Sequence, residues 1–369
     1  MLRYRRLALV LPFVLATAAQ SQSRSAIPAE AERQRPDTAF IDGWSIVELP
    51  DLPGGSHSSG TALNDSGDVV GWYSGPFVPN RAFLYSEGKM TDMGTFGGPN
   101  SMASGINNRK TAVGHAHASP LDVYAFCYQS GSLHALPGLV LSNSEATAIN
   151  DSGDIVGMVT MPKEGGARAF LYSSGKLKLL GSPGGTYSIA RAIGRNGQVV
   201  GESYAAGMES AHAVIFNRDG SVTDLGTLGG RHSAATGIND RGDIVGGSGT
   251  TMITDRTPHA FLYTNGRMHD LGTLGGPSSH AGAINNAGTI AGASETADGA
   301  LHAVIWENGK IRDLNDLAVV AARGWTSLYT ASAINNKGQI TGSGFINGVS
   351  HAFVLTPGPM PAPALQANR

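Results

Sequence analysis

Histidines recur in this chain at positions that could do chemistry. His212, His259, His302 and His351 each open a short apolar run, while His115 and His117 stand two residues apart. Alternate residues of an extended strand share one side, so His115 and His117 could offer two nitrogen ligands to a cation. No third ligand accompanies them. The other four belong to separate copies of one pattern, and zinc needs its nitrogen ligands at about 2 Å. Hydrogen bonding at a polar strand start is therefore their better reading. Asx-rich turns such as Asn64-Asp65-Ser66-Gly67-Asp68 could be calcium loops, since oxygen donors suit hard cations. Their fifth position reads Asp68, Thr111, Asp154, Gln198, Asp243, Thr289 and Gln339, so most copies lack the carboxylate. A structural turn, with the asparagine bonding its own backbone, accounts for them better. Neither a metal nor a cofactor is expected.

Other catalytic patterns are missing or lack a necessary part. The DLGTLGG links carry no lysine-Ser/Thr pair and no following helix, so they do not read as phosphate cradles. No GxSxG elbow is found. A carboxylate pair for glycoside hydrolysis is defined by its separation in space, which linear spacing does not give. Cys127, the sole cysteine, fills a leucine slot and reads as a buried thiol with no disulfide partner. What remains are aromatic and amphipathic groups in variable links: Trp72, Tyr73, Phe77, His115, His117, Tyr204 and Trp325. Such groups anchor proteins and sugars, and they form the candidate binding set.

The elements that must position them are repeats. Runs of the HAFLY type begin at Arg81, Tyr124, Arg168, His212, His259, His302 and His351, with successive starts 43, 44, 44, 47, 43 and 49 residues apart. A period of about 40–50 residues signals a propeller. Each repeat divides into four short strands: a small-residue run ending in Asn, such as Thr147-Ala148-Ile149-Asn150; a run such as Asp154-Ile155-Val156-Gly157; the HAFLY run; and the run into DLG, such as Arg267–Leu271. Hairpin-length links make each repeat an up-and-down blade. The glycine ending each second strand is expected to face an aromatic of strand three.

The expected fold is all-β, a seven-bladed β-propeller of four-stranded blades over 44–357. Trp44–Leu49 reads as a fourth strand without its first three, and His351–Pro357 as a third strand without its fourth. Pairing the two would complete the last blade and remove open edges. The link Leu314–Trp325 departs from GTLGG, and Asn315 is expected to cap a helical turn over 316–323 ended by Gly324. Strand two-to-three and four-to-one links share one face, which carries the variable residues; the uniform Asn-Gly turns occupy the other.

Arg3, Arg5 and Arg6, then Leu7–Leu15, then Ala16, Ala18 and Ala19 follow the order of a signal peptide, assigned to 1–20. Residues 21–43 read as a flexible leader and 358–369 as a disordered tail. With a net charge of −2 and no basic stripe, nucleic acid is a poor partner. No membrane span is expected after signal removal, and the chain should be secreted or periplasmic, as a monomer.

The repeated HAFLYxxG…DLGTLGG…AIN..G.I.G pattern resembles the extracellular repeat proteins called the HAF family, over about 44–357. The resemblance extends to the late segment Leu314–Trp325, Ala333-Ile334-Asn335 and the closing Ser350–Phe353. It implies an exported bacterial protein of unestablished molecular role. Some relatives continue into a sorting segment with a membrane helix; this tail has none, which favours release. Two functions follow as expectations: a non-catalytic binding or scaffold module for an extracellular protein or glycan, or an exported lyase or hydrolase acting on polysaccharide. A cluster of acid, histidine and arginine at one channel mouth would favour the enzyme; a bare or aromatic rim would favour the binding module.

Overall fold

The computed structural model describes residues 40–358 apart from 141, 183, 206–209 and 252–256. The signal sequence, most of the leader and all but the first residue of the tail lie outside the described residues. At the end of the leader, Ile41 forms a backbone bridge with Trp44.

Twenty-eight strands are found among the described residues. The sheet His57–Leu63, Val69–Gly75, Val78–Ser86, Lys89–Asp92 is typical, with sequential strands adjacent and antiparallel. The inner strands carry alanine where space is least: Ala103, Ala146, Ala190, Ala235, Ala281 and Ala331 are at most 1% exposed. The phenylalanines of the HAFLY runs, Phe83, Phe126, Phe170, Phe261 and Phe353, are fully buried. This is an all-β propeller with four-stranded blades. Five sheets stand alone, where the sequence predicts seven; the other eight strands, from Ser144 to Asp224, form one sheet. The join is a single parallel pairing, Ala167 with Tyr187. It forms because the inner strand Gly184–Ile193 starts early enough to meet the third strand of its neighbour. Gly166 permits the approach, since a Cβ there would lie 1.9 Å from the Thr186 carbonyl oxygen.

The chain ends meet as expected. Trp44 to Glu48 pair antiparallel with Pro357 to Phe353. Across the seam, Ala352 N donates to Ser58 Oγ at 3.0 Å and Ser343 Oγ to Ser59 Oγ at 2.8 Å. The first of these is general: Ala82, Ala125, Ala169, Ala213 and Ala260 likewise donate to a serine of the next inner strand. Leu328 occupies that place in the last inner strand. There Asn315 bonds the backbone of Leu328 at both N and O. The helical turn exists as a 3₁₀ turn, Leu314–Asp316, and a helix, Ala318–Ala322, but its cap is Asp313 rather than Asn315. The second-strand glycines also need a correction. At Gly71 and Gly246 a Cβ would first meet the inner-strand carbonyls of Ser59 and Ala234 at 1.9 Å, and only then Phe83 and Phe261 at 2.9 Å.

Candidate functional site

The recurring histidines are structural. His212, His259 and His302 place Nδ1 2.9, 2.8 and 2.6 Å from Asp224, Asp270 and Asp313, the acids that end the neighbouring fourth strands. His351 meets Glu48 at 3.1 Å in the same way across the closing strand pair, and Arg81 meets Asp92 at 3.0 Å. These pairs lie in separate sheets. No group of three or more His, Cys, Asp or Glu gathers to hold a metal among the described residues.

The turn face is closed by its own polar groups. In each Asn-Gly turn the asparagine satisfies local backbone: Asn64 Oδ1 accepts from Ser66 N and Asp68 N, both at 3.0 Å. The same asparagines reach sideways. Asn64 donates to Asn107 O, Asn107 to Asn150 O, Asn150 to Gly194 O, Asn239 to Asn285 O, Asn285 to Asn335 O and Asn335 back to Asn64 O, at 2.9–3.3 Å. The circle breaks only where Gly194 replaces asparagine. Seven Ile/Leu-Asx/Gly-Asx/Arg triplets surround a cavity of about 190 Å³ at this mouth.

Near the loop face the channel is different. One register position of the second strands, the residue paired with the alanine of each HAFLY run, reads Trp72, His115, Met158, Glu202, Gly247, Ala293 and Ser343. Opposite His115, Met158, Glu202 and Ala293 on the inner strands stand Met102, Glu145, Ile189 and His280. Two steps beyond Ile189, Arg191 occupies a strand bulge. Thr61, Thr147 and Thr236 hold that place in three other blades and donate to a neighbouring inner-strand carbonyl. Arg191 instead donates from Nη2 to Glu202 Oε1 at 2.6 Å. His280 packs over the blade beside it, where Gly247 has no Cβ to obstruct Nδ1.

The electrostatics join these side chains. Burial works against the Arg191 charge, but Glu202 outweighs it and the guanidinium is held above its ordinary value; Tyr187 and Glu145 act in the same direction. Burial pushes the His115 pKa down; Glu145 opposes this and His117 adds to it. His280 retains accessible surface yet is surrounded by protein, as a group inside a channel is. Desolvation and the Arg191 charge push it down to about 4. Burial, then Glu202, raises the Tyr187 phenol, whose ring lies 5.1 Å from that of Tyr204. His115 Nδ1 and Arg191 Nε are both buried without a hydrogen-bond partner. The arrangement brings donors and acceptors of several blades within electrostatic reach of one another.

Of the predicted set, His115 and Tyr204 belong to this region, and Trp72 stands at the same register position as His115. His117 is half-buried, with Nδ1 3.2 Å from the Ser119 carbonyl oxygen. Phe77 is 97% exposed at a loop tip. Tyr73 and Trp325 are core residues and offer a ligand little surface. Tyr73 is 5% exposed, donates to Asp92 and has its phenol pushed up to about 12 by burial and that carboxylate. Trp325 is 4% exposed and packs edge-on against Phe353 at 5.8 Å. The list omits Glu145, Tyr187, Arg191, Glu202 and His280. Their signal was departure from the repeat: Ala190-Arg191-Ala192-Ile193-Gly194 stands where other copies read like Ala146-Thr147-Ala148-Ile149-Asn150.

No protein-family model matches this chain. No curated protein matches it. Solved structures do. The β-propeller domain of the Trilobed protease from Pyrococcus furiosus, described as having an open velcro topology, is similar at 9% identity and TM-score 0.53, over 81% of this chain and 94% of that one. An oligogalacturonate lyase in complex with manganese matches at 12% identity and TM-score 0.50, over 86% and 94%. A puromycin-hydrolysing peptidase from Mycobacterium tuberculosis matches at 13% identity and TM-score 0.50; 82% of this chain is covered, which spans about half (52%) of the peptidase. These likenesses establish one thing, the β-propeller fold.

Proposed function

We propose that this chain is an exported, HAF-type binding propeller that engages an extracellular protein or glycan through its loop face. We count the eight-stranded sheet as two blades, because its halves share one residue pairing and each repeats the four-strand order, which gives seven. The observation that supports the functional reading is the contrast between faces. The turn face spends its asparagines on neighbouring backbone. The loop face presents Phe77 and Leu121, 97% and 82% exposed, around a channel with unpartnered polar atoms. Rigid scaffolds with variable loops commonly bind this way.

The test is a screen of the secreted protein against glycan arrays and surface-protein extracts, followed by Trp72→Ala and Phe77→Ala beside Ser152→Ala and Arg241→Ala. Binding lost with the first pair and kept with the second is expected. The reverse outcome would move the working surface to the turn face.

One observation favours the enzyme reading: acid, histidine, arginine and tyrosine side chains share the channel near that face. Neutral histidines near carboxylates can exchange protons with a substrate. An exported lyase or hydrolase would release new reducing ends or unsaturated sugars from a polysaccharide panel, and Glu145→Gln would abolish that release.

A further inference from the structure

Six channel residues are unused by the fold's general plan: His115, Glu145, Tyr187, Arg191, Glu202 and His280. Other blades carry different residue types at each of these positions, so none is needed to build a blade. Threonine at the Arg191 position ties neighbouring inner strands together, as Thr147 Oγ1 does by donating to Ala190 O at 2.7 Å. The blade of Arg191 forgoes that bond, as the blade of Gly282 does, and introduces a guanidinium there. A buried charged group is costly unless paired. Arg191 keeps 37% of its side chain accessible and is paired with Glu202, 13% exposed, at 2.6 Å, yet its Nε is enclosed with no acceptor. His115 Nδ1 is likewise buried with nothing to bond. Unsatisfied buried polar atoms from two inward-facing strands point to a group that satisfies them.

The charge balance limits what that group can be. Arg191 is neutralised by Glu202, and both histidines are held neutral. Glu145 then stands as a carboxylate without an ion pair among those found. An anionic ligand would meet the net negative charge of this group of side chains. A ligand with several hydroxyls, or with hydroxyls and an amine, meets acceptors at Glu145 and Glu202, the accessible part of the Arg191 side chain, and an aromatic surface from Tyr187 and Tyr204, whose rings are 5.1 Å apart. Stacked or tilted aromatics beside carboxylates suit sugar rings.

We infer that the loop-face half of the channel is a binding site for a saccharide unit carrying no negative charge, held by Glu145, Arg191, Glu202 and His115. This deepens the binding reading given above and rests on it.

The experiment titrates the secreted protein with three oligosaccharide families: neutral hexose oligomers, deacetylated hexosamine oligomers and uronic-acid oligomers. Binding of a neutral or amine-bearing family, at least tenfold tighter than of the uronates, is expected. Glu145→Gln distinguishes the two sources: a tenfold or greater loss marks the amine, a loss under threefold the neutral sugar. The double variant Arg191→Thr with Glu202→Ala places residue types that other blades carry at those positions, so it should keep the melting temperature while weakening binding at least tenfold. Ser152→Ala, on the turn face, should bind the same sugar within twofold of the parent. Tighter binding of uronates, no binding by any family, or a double variant that binds like the parent would overturn the inference. If Phe77→Ala loses binding while the double variant does not, the loop-face reading stands and the channel site fails.

Discussion

Asn335 tests whether the circle of asparagines holds the propeller shut. It sits at the seam between the last inner strand and the first, and its Nδ2 donates to Asn64 O at 2.9 Å across a separation of 271 residues. Nδ2 also donates to Gln339 Oε1 at 2.9 Å, while Oδ1 accepts from Lys337 N and Gln339 N at 3.0 and 2.9 Å. Asn335→Ala removes all four bonds. At a net contribution of about 1 kcal/mol each, the loss is about 4 kcal/mol. Water restores little of this, because Asn64 and Asn335 are 4% and 5% exposed. Set against a total stability on the order of 5–15 kcal/mol, such a loss is large. Urea unfolding followed by tryptophan fluorescence measures it. Asn217→Ala is the matched control: its amide bonds Ser221 and Thr223 on an exposed outer turn and should cost under about 0.5 kcal/mol. A cost at Asn335 below about 1 kcal/mol, or equal to the control, would refute the argument that buried inter-blade amide bonds carry the closure.

Deleting His351–Pro357 should cause aggregation or unfolding, because Phe353, Val354 and Leu355 are buried there and the strand Trp44–Glu48 loses its partner. Three such side chains contribute roughly 6 kcal/mol of apolar burial, and a truncated protein that stays monomeric with an unchanged melting temperature would disprove the seam's role. Lowering the pH should weaken the fold through His280. Its folded pKa of about 4 lies below the unfolded value of ~6.5, so the unfolded chain takes up the proton more readily. Stability is then full above ~6.5 and declines as the pH falls toward 4, with His115 shifted the same way. Melting temperatures of the parent and His280→Gln across that window should diverge, and parallel curves would show that His280 does not titrate as described. Exported material should lack its first ~18–22 residues, so intact-mass analysis that finds Met1 or Leu2 on it would reject the signal assignment.

Strand positions, turns and the meeting of the two chain ends were legible in the sequence because local rules specify them. Asparagine before glycine makes its own backbone bonds, as Asn64 does, and a short apolar run between such turns has few alternatives to a strand. The period of the HAFLY runs then fixed the propeller, since each repeat buries its apolar face only against the next. The joined sheet at Ala167 and Tyr187 was not legible, because it depends on how far one strand extends toward another.

The channel was decided by the tertiary structure. Tyr73 and Trp325 look like surface anchors in linear order, but a strand's two faces become core or solvent only once neighbouring blades pack against them. Arg191 and Glu202 are 11 residues apart in sequence and 2.6 Å apart in space, through a strand bulge that no composition reveals. Glu145, His115 and His280 come from other strands and meet only because the inner strands converge on one axis. Arg191 is visible in the sequence as a departure from the repeat, but only the folded inner and second strands set it against Glu202.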